Sequence, residues 1–405
     1  MKKVFIVDEC VSSKQNGVGT YMKCLLSCLT PLEIEVNLLS FNSDNKRLEF
    51  RIRDSIRYIY FPICHKGSFL EIGSLCWPLL RLYFTDVTDN IFIINHSPCV
   101  DLLRQLRKQF KKARLIFIIH DQGWTSPLLG NKERLKNTII NRNHKGKKNK
   151  IENFVKKYFK QEQIMYKLVD DIVCLSTSTH SLLTNTYNIK SDKIHLIPNS
   201  IYNVPICLNN EERLTLRKNL GFAEDDIVLL YVGRTVEAKG FDNLLLAFEK
   251  LSKNNSRLRL IVAGEIFRLN EFAQITKYSA TRITYLGLIA KEQLQKWYNI
   301  ADFGLLPSYT EQCSYTGIEM MAQKLLIVTT NGNGLSDMFT DKINAIVCPI
   351  SDDMALSLEC GISRAMQLST NEKLQMQNEA LNLVRTKYSL HNFQTSYRRI
   401  LLENK

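Results

Sequence analysis

Short apolar runs, often β-branched, alternate along this chain with longer stretches in which apolar residues recur every three or four positions. The first series of runs is VFIV from Val4, IFIIN from Ile91, RLIFIIH from Arg114, DIVCLS from Asp171 and KIHLIP from Lys193. A second series follows: DIVLLYVG from Asp226, LRLIVAG from Leu258, ITYLG from Ile283, ADFGLLPS from Ala301 and LLIVTT from Leu325. Runs that are continuously apolar suit parallel strands covered by helices on both faces. Between them, GTYMKCLLSCL, FDNLLLAFEKLS and KEQLQKWYNIA carry helical spacing. Strand and helix alternating in two consecutive series predict an α/β chain of two doubly wound, Rossmann-like domains. The polar, proline-containing stretch PNSIYNVPICLNN separates the series and puts the boundary near Leu208. The division is then 1–208, 209–385 and a helix-like tail over 386–405, free by its pattern to pack on either domain.

Composition narrows the class. A chain of 405 residues can bury two cores, and 45% hydrophobic with 23% charged residues excludes a disordered or fibrous protein. No apolar run reaches the roughly eighteen residues of a membrane-spanning helix, and MKKVFIVDEC lacks a signal peptide's long apolar core, so a cytoplasmic protein is expected. The 11 cysteines are odd in number and lie in apolar segments such as IVCL (Cys174) and AIVCP (Cys348), which fits buried, reduced thiols. No Cys-x-x-Cys occurs and the seven histidines show no ligand spacing, so no metal site is predicted.

The net charge of +14 is unevenly placed. Residues 1–205 carry 31 Lys and Arg against 18 Asp and Glu, while residues 206–405 carry 23 against 22. Eleven of the basic residues fall in the segment 131–160, with two acidic ones. An anionic membrane surface or an acidic acceptor would suit it, and a solvated helix face explains it equally well. Nucleic acid suits it least, because no binding module accompanies the patch.

Candidate chemistry sits at strand ends, where open parallel sheets bind ligands. After the first run, Gly17 and Gly19 precede a helix whose amino end favours an anion, although an ordinary tight loop reads the same way. After RLIFII comes the polar pair His120-Asp121. After IVLLYV come Gly233-Arg234, with Lys239 five residues beyond Arg234. Two cations past a strand end can hold a diphosphate, a guanidinium by a forked contact and an ammonium as a point charge, solvated surface cations being the alternative. Glu311 and Glu319 follow, the first in a loop and the second in a helix beginning near Tyr315. Carboxylates accept paired hydrogen bonds from vicinal hydroxyls, which suits one acid on a sugar and the other on a ribose.

These residues carry a resemblance. The phrases GVGTY, HD, YVGRTVEAKGFDNLLLAF, LIVAG, YLG and PSYTE with its second glutamate follow in order over nearly the whole chain. The set resembles the family four retaining glycosyltransferases of bacterial type, with Arg-x4-Lys and Glu-x7-Glu its most specific elements. The resemblance implies the GT-B fold: two Rossmann-like domains with a cleft between them and a C-terminal helix crossing back to the first. By position it implies that Arg234 and Lys239 neutralise the donor diphosphate, that Glu319 holds the nucleotide ribose and that Glu311 lies near the transferred sugar. Gly17, Gly19 and Gly233 would lie close to the diphosphate, His120 near the reacting centre, and Ser314, Tyr315 and Thr316 would complete the donor site. One departure stands out. Where the family commonly has glycine-aromatic-glycine, this chain has Gln312, Cys313 and Ser314, side chains that would reshape the sugar pocket.

The implied reaction moves a sugar from a nucleoside-diphosphate sugar, a UDP-sugar favoured over a GDP-sugar, to a hydroxyl of a glycan, lipid-linked or peptide acceptor. The acceptor would attack from the leaving group's side and the departing phosphate would take its proton, so no enzyme nucleophile is needed. Fixed cations stabilise the charge that builds on the diphosphate. No Asp-x-Asp occurs, so neither metal nor other cofactor is expected. A noncatalytic sugar-binding or scaffold partner of an active glycosyltransferase is the alternative. A peripheral position at the inner face of the membrane, through 131–160, is a further expectation.

Overall fold

The computed structural model describes every residue except 10–16, 31, 42–44, 63–68, 96–98, 141–148, 206, 267 and 403–405. The chain divides into two compact units, Met1–Asn199 with Leu390–Lys405, and Ser200–Ser389. Asn199 and Leu208 both lie in the connector between the last strand of the first unit and the helix Asn210–Asn219, a stretch without strand or helix.

The first unit is built on eight strands: β1 Lys3–Glu9, β2 Glu35–Phe41, β3 Glu49–Arg53, β4 Ile56–Tyr60, β5 Asn90–Asn95, β6 Arg114–Ile118, β7 Asp171–Cys174 and β8 Ile194–Leu196. Their order is β3-β4-β2-β1-β5-β6-β7-β8. All pairs are parallel except β3 with β4. The central strands are buried along their length because helices cover both faces, which is why VFIV and IFIIN read as unbroken apolar runs. On one face Phe5 stacks on Phe92 with ring centroids 4.7 Å apart, and Trp77 packs edge-on to Phe92 and Phe41. The indole N–H of Trp77 donates to the carbonyl of Leu102 at 3.0 Å, so the buried ring leaves no orphan donor.

The tail forms the helix Leu390–Leu402 and joins the first unit. Lys2 Nζ donates to Leu401 O at 2.7 Å and Arg114 Nη1 to Ile400 O at 2.6 Å, two cations on the helix's carboxyl end. That placement satisfies carbonyls left without helical partners and matches the negative end of the helix dipole.

The second unit has six parallel strands: β9 Ile227–Val232, β10 Leu258–Ala263, β11 Ile283–Gly287, β12 Phe303–Leu306, β13 Leu326–Thr330 and β14 Ile346–Cys348. Their order is β11-β10-β9-β12-β13-β14. Phe241, Leu244, Leu245 and Phe248 repeat at three- and four-residue spacing along the helix Phe241–Asn254 and are fully buried on the sheet.

Both sheets reverse direction once. In the first unit the chain runs outward from β1 through β2 and then restarts on the other side at β5; in the second it runs outward from β9 and restarts at β12. Strands on the two sides of such a point send their following loops apart and leave a crevice at their carboxyl ends. Arg234 follows β9 and Glu311 follows β12, so this topology makes two loops distant in sequence into neighbours.

Candidate functional site

In the second unit the site grows from the loops after β9 and β12. Past β9 the chain turns at Gly233, and Gly264, at the end of β10, lies against it. A Cβ on Gly264 would sit 2.0 Å from the Gly233 carbonyl oxygen. The buried Tyr231 hydroxyl donates to the Arg234 carbonyl at 2.6 Å and fixes the loop backbone, while the Arg234 side chain is exposed and enters no ion pair among the described residues. A single turn at Glu237–Lys239 then ends in Gly240, whose φ of +64° lies in the left-handed region. A Cβ at Gly240 would also stand 2.0 Å from the Pro307 carbonyl oxygen. Glycine is thus required twice over where the Lys239 turn crosses the end of β12.

That crossing brings Lys239 and Glu311 together. Lys239 Nζ lies 2.6 Å from Glu311 Oε1, and Ser308 Oγ donates to the same oxygen at 2.9 Å. The Glu311 loop is itself held by the chain after β13. Glu311 N–H donates to Asn333 O at 2.9 Å, and Gly334, at φ +75°, leaves only 2.2 Å between a Cβ and the Glu311 carbonyl oxygen. An ammonium has three protons, so one on Glu311 leaves two for a ligand, and no described residue donates to Glu311 Oε2.

Glu319 lies in the helix Tyr315–Ala322, which Ser314 caps by accepting the Gly317 N–H at 3.1 Å. Ser314 accepts with its oxygen and keeps its hydroxyl proton, and the expected set Ser314, Tyr315 and Thr316 forms the cap and first turn of this helix. Cys313 is buried. Glu319 is held more firmly than the spacing alone suggests. Its Oε2 accepts the Tyr298 hydroxyl at 2.9 Å and its Oε1 lies 2.6 Å from Lys291 Nζ. Burial first, and the Glu319 carboxylate second, push the Tyr298 hydroxyl well above its ordinary range, so Tyr298 is a donor at any working pH. A diol approaching Glu319 would meet remaining lone pairs on both oxygens, with Lys291 the partner exposed enough to move.

Sequence reasoning missed Lys291, Tyr298, Ser308 and Gly334 as parts of this site. Lys291 and Tyr298 stand seven positions apart on one helix, Lys291–Ile300, and hence on one face of it. That spacing was the available signal.

In the first unit Gly17 and Gly19 lie inside the first turn of the helix Gly17–Leu29 and not in the loop before it. Glycine at a helix start costs little and keeps the backbone open to an approaching group. Two residues on from Gly19, the buried Tyr21 ring meets His120 edge-on at 4.7 Å, and the Tyr21 hydroxyl is hydrogen-bonded to that of Tyr397. His120 Nε2 is hydrogen-bonded to Asn95 Oδ1 at 2.7 Å. The ends of β5 and β6 and the helix Gly17–Leu29 thus converge on His120, at this sheet's own reversal.

Among the described residues no group of three or more His, Cys, Asp or Glu is placed to hold a metal ion, and no helix is long and apolar enough to cross a membrane. Of the basic segment, Lys145, Lys147 and Lys148 lie outside the described residues. Lys150, Lys157 and Lys160 are exposed on the helix Asn149–Leu168, interleaved with Ile151 and Phe154, themselves 48% and 43% exposed.

The geometry can be set beside known proteins. The family model described as Glycosyltransferase Family 4 matches residues 15–202, and that described as Glycosyl transferases group 1 matches 212–380. Lipopolysaccharide 1,2-N-acetylglucosaminetransferase of Salmonella typhimurium is 30% identical over 211 residues, 49% of this chain and 54% of that protein. The chain spans about half the length of the curated relatives it matches. Sucrose-phosphate synthase from Thermosynechococcus elongatus superposes with a TM-score of 0.76 at 16% identity, over 99% of this chain and 100% of that one. The Anabaena protein HepE in complex with UDP-glucose gives 0.68 at 14%, over 100% of both. At such identities the superpositions show the fold alone, which is GT-B. With the two models in sequence order over nearly the whole chain, the protein belongs to the group 1, family 4 glycosyltransferases.

Proposed function

We propose that the protein transfers a sugar, with retention of anomeric configuration, from a nucleoside-diphosphate sugar to an acceptor hydroxyl of a glycan, glycolipid or peptide. A UDP-sugar is favoured over a GDP-sugar, as the HepE complex with UDP-glucose suggests. The observation that carries this reading is the Lys239–Glu311 contact beside Arg234 at the carboxyl ends of β9 and β12. It offers cationic protons and a carboxylate oxygen side by side, as a sugar diphosphate would require.

In this reading Arg234 and the two remaining protons of Lys239 face the diphosphate, and Glu311 Oε2 accepts from a sugar hydroxyl. Glu319, aligned by Tyr298, accepts from the ribose diol. The bond between the anomeric carbon and the phosphate oxygen breaks, negative charge grows on the diphosphate against Arg234 and Lys239, and the acceptor oxygen bonds to the same face of the sugar. The acceptor's proton leaves on the departing phosphate. By its match to the family pattern His120 is assigned to the reacting centre, and in this reading no metal is needed to neutralise the leaving group. The basic and apolar face bearing Lys150, Phe154 and Lys157 suits an anionic membrane surface, which would place the protein peripherally at the inner face of the membrane.

The test is release of UDP from UDP-glucose or UDP-N-acetylglucosamine without added metal, with the anomeric proton of the product read by NMR. An α-linked product from an α-linked donor is expected. Inversion would remove the retaining assignment, and absence of turnover with any nucleotide sugar would remove the reading.

A further inference from the structure

Three residues beyond His120 the chain turns at Gly123, and one helix, Asn149–Leu168, holds that glycine by two side chains. Tyr158 and Glu162 are four positions apart and so lie on one face. A Cβ on Gly123 would meet the Tyr158 ring at 2.6 Å, and Glu162 Oε1 accepts the Gly123 N–H at 2.8 Å. The other Glu162 oxygen accepts the Tyr187 hydroxyl. Glu162 is only 6% exposed, in surroundings that include the packed rings of Phe159, Tyr166 and Tyr187. An acid in such a place costs stability that an apolar residue would not unless its oxygens are engaged, and here both are.

What it holds is a loop already tied within itself. Asp121 Oδ1 accepts the Gln122 N–H at 2.8 Å and the Thr125 hydroxyl at 2.6 Å, and Gln122 Nε2 reaches the Tyr166 hydroxyl at 3.3 Å. The turn from 121 to 125 is thus bonded within itself through Asp121 and joined to the helix at two points, Gln122 to Tyr166 and the Gly123 amide to Glu162, of which the Glu162 contact is the shorter and the one made to the backbone. His120 is the next residue back, with its ring between Tyr21 and Asn95.

We propose that Glu162 is a positioning residue: by clamping the Gly123 amide it fixes the loop that presents His120. The inference rests on the reading of His120 as a residue near the reacting centre. The carboxyl faces the Asp121 carboxylate and the Tyr166 and Tyr187 hydroxyls, and burial, the largest influence, pushes it up to about 7. Either protonation state can keep the clamp. The ionised form accepts from both donors, and the neutral form accepts from Gly123 while giving its own proton to Tyr187.

A glutamine has nearly the shape of the neutral form, with its oxygen able to accept from Gly123 and its amide able to donate to Tyr187, which makes the test sharp. In Glu162→Ala the Gly123 amide should exchange with deuterium faster. Its kcat should fall roughly ten- to a hundredfold, as small misplacements of reacting groups do, with the donor KM within about twofold. Glu162→Gln should restore both. Unchanged exchange at Gly123, an unchanged kcat, or a glutamine variant as impaired as alanine would overturn the proposal. Should Glu162→Ala not fold, Glu162→Asp withdraws the carboxylate by one methylene and should show the same loss of kcat at constant donor KM; full activity there would overturn it equally. A wild-type protein that turns over no donor would remove the reading of His120, and exchange at Gly123 would then decide the clamp alone.

Discussion

Lys239 Nζ lies 2.6 Å from Glu311 Oε1 across 72 residues of sequence, because β9 and β12 are neighbours at the point where the second sheet reverses. The pair is half-buried, with 24% and 14% of the two side chains exposed. Each charge therefore depends on the other, and a ligand entering here joins an existing polar centre.

Replacing Lys239 with alanine should cut kcat by roughly a hundred- to a thousandfold, the usual loss when one preorganised donor to a developing charge is removed. Steady-state kinetics with a saturating nucleotide sugar measure it. The change should also leave Glu311 without its cation, so Lys239→Ala with Glu311→Gln should lose less than the two single changes multiplied together.

Tyr298→Phe removes one of the two donors that hold Glu319 and leaves a half-buried carboxylate short of a partner. Nucleotide affinity should weaken by about tenfold, the equivalent of one ordinary hydrogen bond, with kcat nearly unchanged. Calorimetric titration with UDP checks it, and Glu319→Ala should weaken binding further. Equal affinity in Glu319→Ala would remove the ribose assignment.

Glu162 gives the fold a pH dependence with a definite sign. Its carboxyl is raised from 4.5 to about 7, chiefly by burial, beside Asp121, Tyr166 and Tyr187. The folded protein therefore keeps a proton that the unfolded chain has released. The stabilisation is complete below about 4.5 and is lost as pH rises through about 7, a swing on the order of 3 kcal/mol at most. Urea unfolding at pH 5 and pH 8 should show wild type losing more stability on going up than Glu162→Gln, in which the contribution of this group is absent.

Gly240→Ala should destabilise the protein by more than about 1 kcal/mol, since its backbone is left-handed and an added methyl meets the Pro307 carbonyl. Urea midpoints report the stability, and activity should fall with it because Lys239 is the preceding residue.

Much of the architecture was legible because the central strands are buried on both faces and so read as unbroken apolar runs. The strands that were not legible break that rule for identifiable reasons. In β3 four of five residues are exposed, β4 is only partly buried, and β14 is three residues long. In β2 six of seven residues are buried, but Asn37 and Ser40 interrupt its apolar run. Within the site, Arg234 with Lys239 and Glu311 with Glu319 were legible because each pair sits in one short stretch. Tyr298 and Gly334 reach the glutamates from other elements, through strand order that no local pattern encodes. Glu162 was hidden for the opposite reason: it lies in a lysine-rich helix whose charge reads as surface, whereas its own side chain points inward.

The central claim is that the loops after β9 and β12 bind a nucleoside diphosphate, and thermal unfolding tests it most directly. UDP, GDP, ADP and CMP would be added singly at millimolar concentration, without metal, to wild type and to Glu319→Ala. A ligand at a hundred times its dissociation constant stabilises by about 2.7 kcal/mol, enough to move the midpoint visibly. The account predicts a selective upward shift with UDP that shrinks in Glu319→Ala. No shift with any diphosphate, or an equal shift in both proteins, would contradict it.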